Sequence, residues 1–465
     1  MRSCVLLCSS ALVMALVAGC GRGSYDPTDH LRPTPPPRAL PENVDFELRE
    51  EFDGPCAART TIDVNLGNTP EVFVRAAHCQ IHGTEPSAEL ITSWAEQLRT
   101  REWVRRIDVV RSLCSAAGKS CPLTYSDPWK EQVLLTTPCI RKTPRDVGAV
   151  LMFFSECPGG VNCDLDWANT HTSGMDAPHR LHAFGAAAEG YYHPDNAGFW
   201  KRELLDARWA GLQFLLVNTY GPDLGRLGRL SEALADVGGG IHIALFDDTW
   251  SWGRAQQPPP WNVAPNLADA DSAAQVIYQA KWKPFFDAIA PEHWYRVEDR
   301  PFIYFYNAGT LKPLTAAAAV VARLKELFAA DFGVEPFVAV DRAFFQDPGM
   351  PAVADSQFLW DTFGDEGSHF DLKGVTHDHF MVKWDSLGRD HPGDLATDND
   401  RLVKGPELLL EALGSSAASD LAVFATWNDL GEGTGIHRNY DYYHQGQWLT
   451  PHAFMSLLRA AQCEE

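Results

Sequence analysis

The sequence predicts an α/β protein, a (β/α)8 TIM barrel preceded by a small N-terminal α-helical module. Three observations lead there. Eight apolar, β-type runs follow one another after residue 146, helix-forming stretches separate them, and each run ends in polar or aromatic residues. Near-continuous apolar strands alternating with helices are the pattern of a parallel sheet buried on both faces. Composition agrees: 45% hydrophobic and 22% charged residues describe a globular chain. The net charge of −22, with no basic run, excludes a nucleic-acid partner that needs clustered Lys and Arg.

The first element is a targeting segment. "MRSCVLLCSSALVMALVAGC" carries Arg2, then an apolar stretch from Val5 to Ala18, then small residues before Cys20. The ending "VAGC" resembles a bacterial lipobox. That resemblance implies a signal peptide over 1–19, acylation of Cys20, and an exported protein held to the cell envelope, its outer membrane or surface, by lipid alone. No later run is long and apolar enough to span a bilayer. Residues 20–45 are Pro-rich and read as a semi-rigid tether.

A Cys-containing helical module is expected over 46–145. Leu90, Ile91, Trp94 and Leu98 fall on one helical face, as do Trp103, Ile107 and Val110. "GTEP" at 83–86 supplies a glycine stop and a proline start between two helices. The stretch "EVFVRAAHCQIHGTEPSAELITSWAEQLRTREWVRRIDVVRSL" resembles a short helical module of unknown function that recurs in bacterial surface proteins, and it carries no evident chemistry. Beyond Cys4, Cys8 and Cys20 the cysteines are Cys56, Cys79, Cys114, Cys121, Cys139, Cys157, Cys163 and Cys463. An even number in an exported protein points to disulfides. The short spacings of Cys114/Cys121 and Cys157/Cys163 suit local loops. Zinc is the competing reading, and no C-x-x-C pair supports it.

The barrel is expected over 146–465. Its runs are "VGAVLMFF" (147–154), "LQFLLVNTY" (212–220), "GIHIALFDDTW" (240–250), "RPFIYFYNAG" (300–309), "EPFVAVDRAFF" (335–345), "SQFLWDTFG" (356–364), "DHFMVKWDS" (378–386) and "LAVFATWNDLGEG" (421–433). Between them lie helix candidates such as 197–211 and 315–331. A doubly wound open sheet competes, but the glycine fingerprint of nucleotide binding is missing.

In a (β/α)8 barrel the carboxyl ends of the strands share one mouth, where active sites lie. Gathered there would be Asn218 and Tyr220; Asp247, Asp248 and Trp250; Asn307; Asp341; Trp360 and Asp361; Lys383, Trp384 and Asp385; and Asn428, Asp429 and Glu432. Aromatic platforms with amides and carboxylates suit an oligo- or polysaccharide, whose faces stack on rings and whose hydroxyls exchange hydrogen bonds. Any one of them alone is as well explained as a strand-end cap. No cofactor is called for, and a monomer is expected.

"TWNDLGEG" at 426–433 resembles the terminal-strand motif of glycoside hydrolases that cut internal α-linkages, the endo-α-mannosidase and α-1,3-glucanase families. Residues 190–221, with a helical pattern "E…A…AG" before the strand, resemble the segment around their second strand. The resemblance implies a general acid at Glu432. It also implies a base or nucleophile at Asp429, acting in some of these enzymes through the substrate's own 2-hydroxyl. Glycosidic cleavage needs such a carboxyl pair independently of any family. Asn428 would orient one of the two, and Trp427 would belong to the core on the alternate face. "FFSECPGG" (153–160) does not match the family's sugar-facing aromatic motif.

Three other readings remain. A non-catalytic glycan-binding barrel lipoprotein shares every feature above. "HDH" at 377–379, placed just before the seventh run, allows a metal-dependent hydrolase. "CDLDWANT" (163–170) has carboxylates at two-residue spacing but lacks the glycine and terminal glutamate of a calcium loop. Serine and cysteine nucleophiles are excluded, because there is no G-x-S-x-G and the cysteines are accounted for as pairs.

Overall fold

The computed structural model describes residues 52–63, 66–100, 106–124, 139–152, 197–219, 226–255, 257–307, 309–360, 368–381, 406–407, 409–428, 435–437, 443–444, 447–450 and 452–464. The expected signal peptide, Cys20, the tether and the pair Cys157/Cys163 lie outside the described residues.

Three helices open the described chain: α1 (Pro70–His82), α2 (Ala88–Thr100) and α3 (Arg106–Ala116). Thr69 caps α1 through its hydroxyl, Pro70 sits where a missing N–H costs nothing, and Gly83 ends it in the left-handed conformation. Phe73, Val74, Ala77 and Ile81 pack on Val109, Val110 and Leu113, with Trp448 from far along the chain closing the cluster. The buried Arg106 guanidinium lies 5.7 Å from the Phe73 ring and 5.3 Å from Trp448, a desolvated cation between two aromatic faces.

The barrel strands are β1 (Asp146–Met152), β2 (Phe214–Asn218), β3 (His242–Asp248), β4 (Arg300–Tyr306), β5 (Phe337–Asp341), β6 (Ser356–Phe358), β7 (Ser368–Leu372), β8 (Val375–Phe380) and β9 (Leu421–Phe424). Parallel ladders run β8–β9–β1–β2–β3–β4–β5–β6, and β7 is an antiparallel addition on β8. The barrel is therefore nearly closed. At the seam, side chains replace ladder bonds, with Ser356 Oγ 3.0 Å from His377 Nδ1. Helices α4 (Ala197–Trp209), α5 (Leu227–Val237), α6 (Ala270–Ile277), α7 (Lys283–Ala288), α8 (Ala317–Phe332) and α9 (Ala453–Gln462) lie between or after the strands.

One element differs from expectation. The seventh run was expected at 378–386, but β8 spans Val375–Phe380, so "HDH" lies within the strand and not before it. The turn at Lys373 and Gly374, both at positive φ, folds β7 back on β8 and sets that register.

The strands alternate strictly. Val147, Ala149 and Leu151 of β1, with Leu215 and Val217 of β2, face the helices. Val150, Met152, Phe214, Leu216, Phe246, Phe302, Tyr304, Phe358 and Val423 fill the interior. At the floor the Phe214 ring stacks on Tyr295 with centroids 3.8 Å apart. Gly148 makes room for it, since a Cβ there would lie 2.2 Å from Phe214 Cε2. Gly148→Ala is expected to cost about 1–3 kcal/mol through overpacking. It should show as a lower urea midpoint at unchanged m-value.

Among the described residues three disulfides are formed: Cys56–Cys79, Cys114–Cys121 and Cys139–Cys463. The second closes a local loop as its spacing suggested. The third ties the approach to β1 to the end of α9, where Lys142 N–H also donates to the Gln462 carbonyl at 2.8 Å.

Candidate active site

Parallel register brings the carboxyl ends of the strands together. Met152 stands opposite Asn218, and Asp248 opposite Tyr306. The alternation then decides which side chains reach the interior. Phe246 points inward, so Asp248 does too, while Asp247 between them points out.

Asn218 and Asp248 form the polar centre of the described mouth. Asn218 is fully buried; its Nδ2 donates to Asp248 Oδ2 at 3.3 Å and lies 3.4 Å from Met152 Sδ. Its Oδ1 is buried without a hydrogen-bond partner. Asp248 Oδ1 accepts from Trp250 N–H at 2.8 Å, capping the short turn Thr249–Ser251. Burial pushes the Asp248 carboxyl up, against the opposing pull of Lys281, the Trp250 N–H and the Asn218 amide.

Asp247 does not join the mouth. It is buried among the helices, with Lys281 Nζ 2.9 Å from Oδ1 and Trp282 Nε1 donating to Oδ2 at 2.7 Å. Asn307 braces its own turn, its Oδ1 accepting from Gly309 N–H at 3.2 Å and Thr249 Oγ1 at 3.3 Å. Asp341 reaches the inner face at the end of β5 and caps the following turn through Ala343 N–H at 2.7 Å.

Two indoles behave differently. Trp250 stays 46% exposed at the rim, with the Arg254 guanidinium 3.5 Å over its ring. Trp360 is buried beside Phe246, Tyr306 and His379, at centroid distances of 5.0, 5.2 and 5.4 Å.

Under these groups lies a polar thread that the sequence reading had not assigned. Tyr304 OH is 2.8 Å from His379 Nδ1 and 3.1 Å from His377 Nε2. Burial drives both imidazoles down, His379 to about 3, so both are neutral. The alternation of "VTHDHF" against a buried sheet was the available signal. Tyr304 and Ser356 meet the pair with hydroxyls, and Asp378 points away from it toward His369 and Ser419. The described residues bring no carboxylate to the pair; their one cluster of potential metal ligands, Cys56, Cys79 and Glu85, contains a disulfide.

Asn428 clasps β1: its Oδ1 accepts from Met152 N–H at 2.6 Å and its Nδ2 donates to the Met152 carbonyl at 3.2 Å. Trp427 is fully buried in the layer between sheet and helices. Tyr220, Asp361, Trp384, Asp429 and Glu432 lie outside the described residues.

A family model described as "Domain of unknown function (DUF5010)" matches residues 191–461. No curated protein matches the chain. Among solved structures the chain is similar to the GH99 endo-alpha-mannosidase from Bacteroides thetaiotaomicron, with 12% identity, 68% of this chain and 96% of that one covered, and a TM-score of 0.44. The Bacteroides thetaiotaomicron enzyme in complex with BIS-TRIS-Propane gives 13%, 68%, 95% and 0.45. A glycoside hydrolase-like protein gives 11%, 66%, 92% and 0.38.

Proposed function

The chain belongs to the DUF5010 family, whose description names no activity, and from that premise we propose that it is an endo-acting glycoside hydrolase of α-linked glycans, anchored to the cell envelope by lipid on Cys20. The observation that carries this reading is the pair Asn218–Asp248 at the barrel mouth. A fully buried amide oxygen without a partner asks for a hydroxyl donor. Trp250, whose backbone N–H donates to Asp248, offers the face of its exposed ring for a sugar ring close by.

Asn428, locked to β1, leads directly into Asp429 and Glu432. In this mechanism Glu432 protonates the leaving oxygen, and Asp429 acts as base or nucleophile, directly or through the sugar's 2-hydroxyl. The amide and carboxyl of Asn218 and Asp248 hold the substrate's hydroxyls and take no part in proton transfer.

The test is a panel of α-mannans and α-glucans incubated with purified protein, with products sized and binding followed by calorimetry. Release of internal oligosaccharides is the expected result. On the substrate found, Asn218→Ala should raise KM roughly 3- to 10-fold, the worth of one hydrogen bond. Binding without release would convert the reading to a glycan-binding barrel. Neither binding nor release would end it.

A further inference from the structure

The end of β3 carries one charge that nothing near it balances. Asp247 and Asp248 are neighbours in the strand, and their surroundings differ. Asp247 faces the helices and is matched there, with Lys281 Nζ 2.9 Å from Oδ1 and Trp282 Nε1 donating to Oδ2. Asp248 faces the mouth and is 8% exposed. It accepts from the Trp250 N–H at 2.8 Å and from Asn218 Nδ2 at 3.3 Å, both neutral donors. Tyr306 stands opposite it on β4. Among the described residues no cation forms an ion pair with its carboxylate. Lys281 acts on it from behind the strand, but that charge is already balanced by Asp247, and its ammonium donates to the Asp248 backbone carbonyl at 3.0 Å. Arg254, on the adjoining rim, lies over the Trp250 ring with its Nε donating to the Trp250 carbonyl at 3.0 Å.

A buried carboxylate without a counter-charge is costly, and either a proton or a cation relieves it. Burial accordingly pushes the Asp248 carboxyl up. A ligand bringing its own positive charge supplies the other remedy. It must also satisfy Asn218 Oδ1, buried on the same inner face without a donor. Both side chains therefore ask for donors. A sugar hydroxyl serves the amide. At the carboxylate a hydroxyl leaves the charge unbalanced, whereas an ammonium brings three N–H donors together with the missing charge. The chain's net charge of −22 also draws polycationic glycans toward the protein.

We propose that the barrel mouth takes an α-linked glycan with free amines, the ammonium of an amino sugar standing at Asp248 in place of one hydroxyl and a neighbouring hydroxyl at Asn218 Oδ1. The inference rests on the reading of the mouth as a glycan site and adds the charge of the sugar that fills it. Asp248 is then a specificity-determining residue. N-acetylation removes the positive charge, and a hydroxyl in place of the amine never carries one.

The experiment is calorimetry of the full chain with α-linked glucosamine and galactosamine oligosaccharides, their N-acetylated forms, and the matching neutral gluco- and galacto-oligosaccharides. The free-amine forms should bind roughly 10- to 100-fold more tightly at pH 7 than either counterpart. Asp248→Asn keeps an oxygen for the Trp250 N–H, and it should bring that ratio to within about threefold of one. Asn218→Ala should weaken every form and keep the ratio. Affinity of the wild type for the free-amine forms should fall as pH drops and Asp248 takes up a proton, a fall the neutral forms do not share. If Asp248→Asn does not fold, that pH dependence decides. Binding or cleavage of neutral glycans with no preference for the free amine overturns the inference and leaves the hydrolase reading standing. An amine preference that survives Asp248→Asn overturns it as well. An Asp248-dependent preference without cleavage upholds the inference while the hydrolase reading fails, and no binding of any form ends both.

Discussion

Glu432→Gln is expected to reduce activity on natural α-glycans by about 10²–10⁴-fold, the usual worth of a general acid. The substitution keeps shape and hydrogen-bonding reach while removing the proton that the leaving sugar must take. Its signature lies in the choice of substrate. An aryl glycoside with an acidic phenol departs with little protonation, so the same variant should lose far less on that substrate in the step that expels it. Asp429→Asn should depress both, because a base or nucleophile is needed whatever departs. The measurement is kcat/KM for both variants on a natural oligosaccharide and on an activated aryl glycoside. Near wild-type rates for both variants on both substrates would remove the two carboxylates from the mechanism. The bound ground state should be little changed, so oligosaccharide affinity in Glu432→Gln offers a control that the mouth is intact.

The barrel was legible because a parallel sheet covered on both faces writes its strands as unbroken apolar runs. That same property hid the finer detail. "IALFDD" is buried throughout, so nothing in the run says which of Asp247 and Asp248 looks inward. Only the ladder, with Phe246 packed in the interior, resolves them. One aspartate then faces the mouth and its neighbour is buried among the helices. The seventh run was misplaced for a related reason. "FMVKW" continues the apolar character past the point where β8 ends, and the histidines inside the strand look like a polar boundary. They are tolerated because Tyr304 and Ser356 supply hydrogen bonds inside the barrel, a long-range fact absent from the local sequence. Trp427 was readable as core from its alternate position in the strand. Its link to Glu203 spans 224 positions, beyond any local pattern.

Lys281→Met is expected to destabilise the fold by about 3–5 kcal/mol, the cost of leaving a buried charge without its partner. Lys281 and Asp247 are both fully buried, with Nζ 2.9 Å from Oδ1, off the hydrogen-bonding direction, and Trp282 Nε1 donating to the other oxygen. Removing the ammonium strands the carboxylate between β3 and the helices. Asp247→Asn in the same chain should restore most of the loss, since a neutral amide needs no counter-charge and its oxygen still accepts from Trp282. Denaturant midpoints of the two single variants and the double variant close a thermodynamic cycle, and strong coupling is the expected result. Additive losses would mean that the pair contributes packing alone. Stability is not the whole consequence, because Lys281 Nζ also donates to the Asp248 carbonyl at 3.0 Å. The double variant, refolded in charge balance but lacking that bond, should leave the end of β3 less fixed. It should bind glycan more weakly than its stability predicts, tying the wall of the barrel to the carboxyl that faces its mouth.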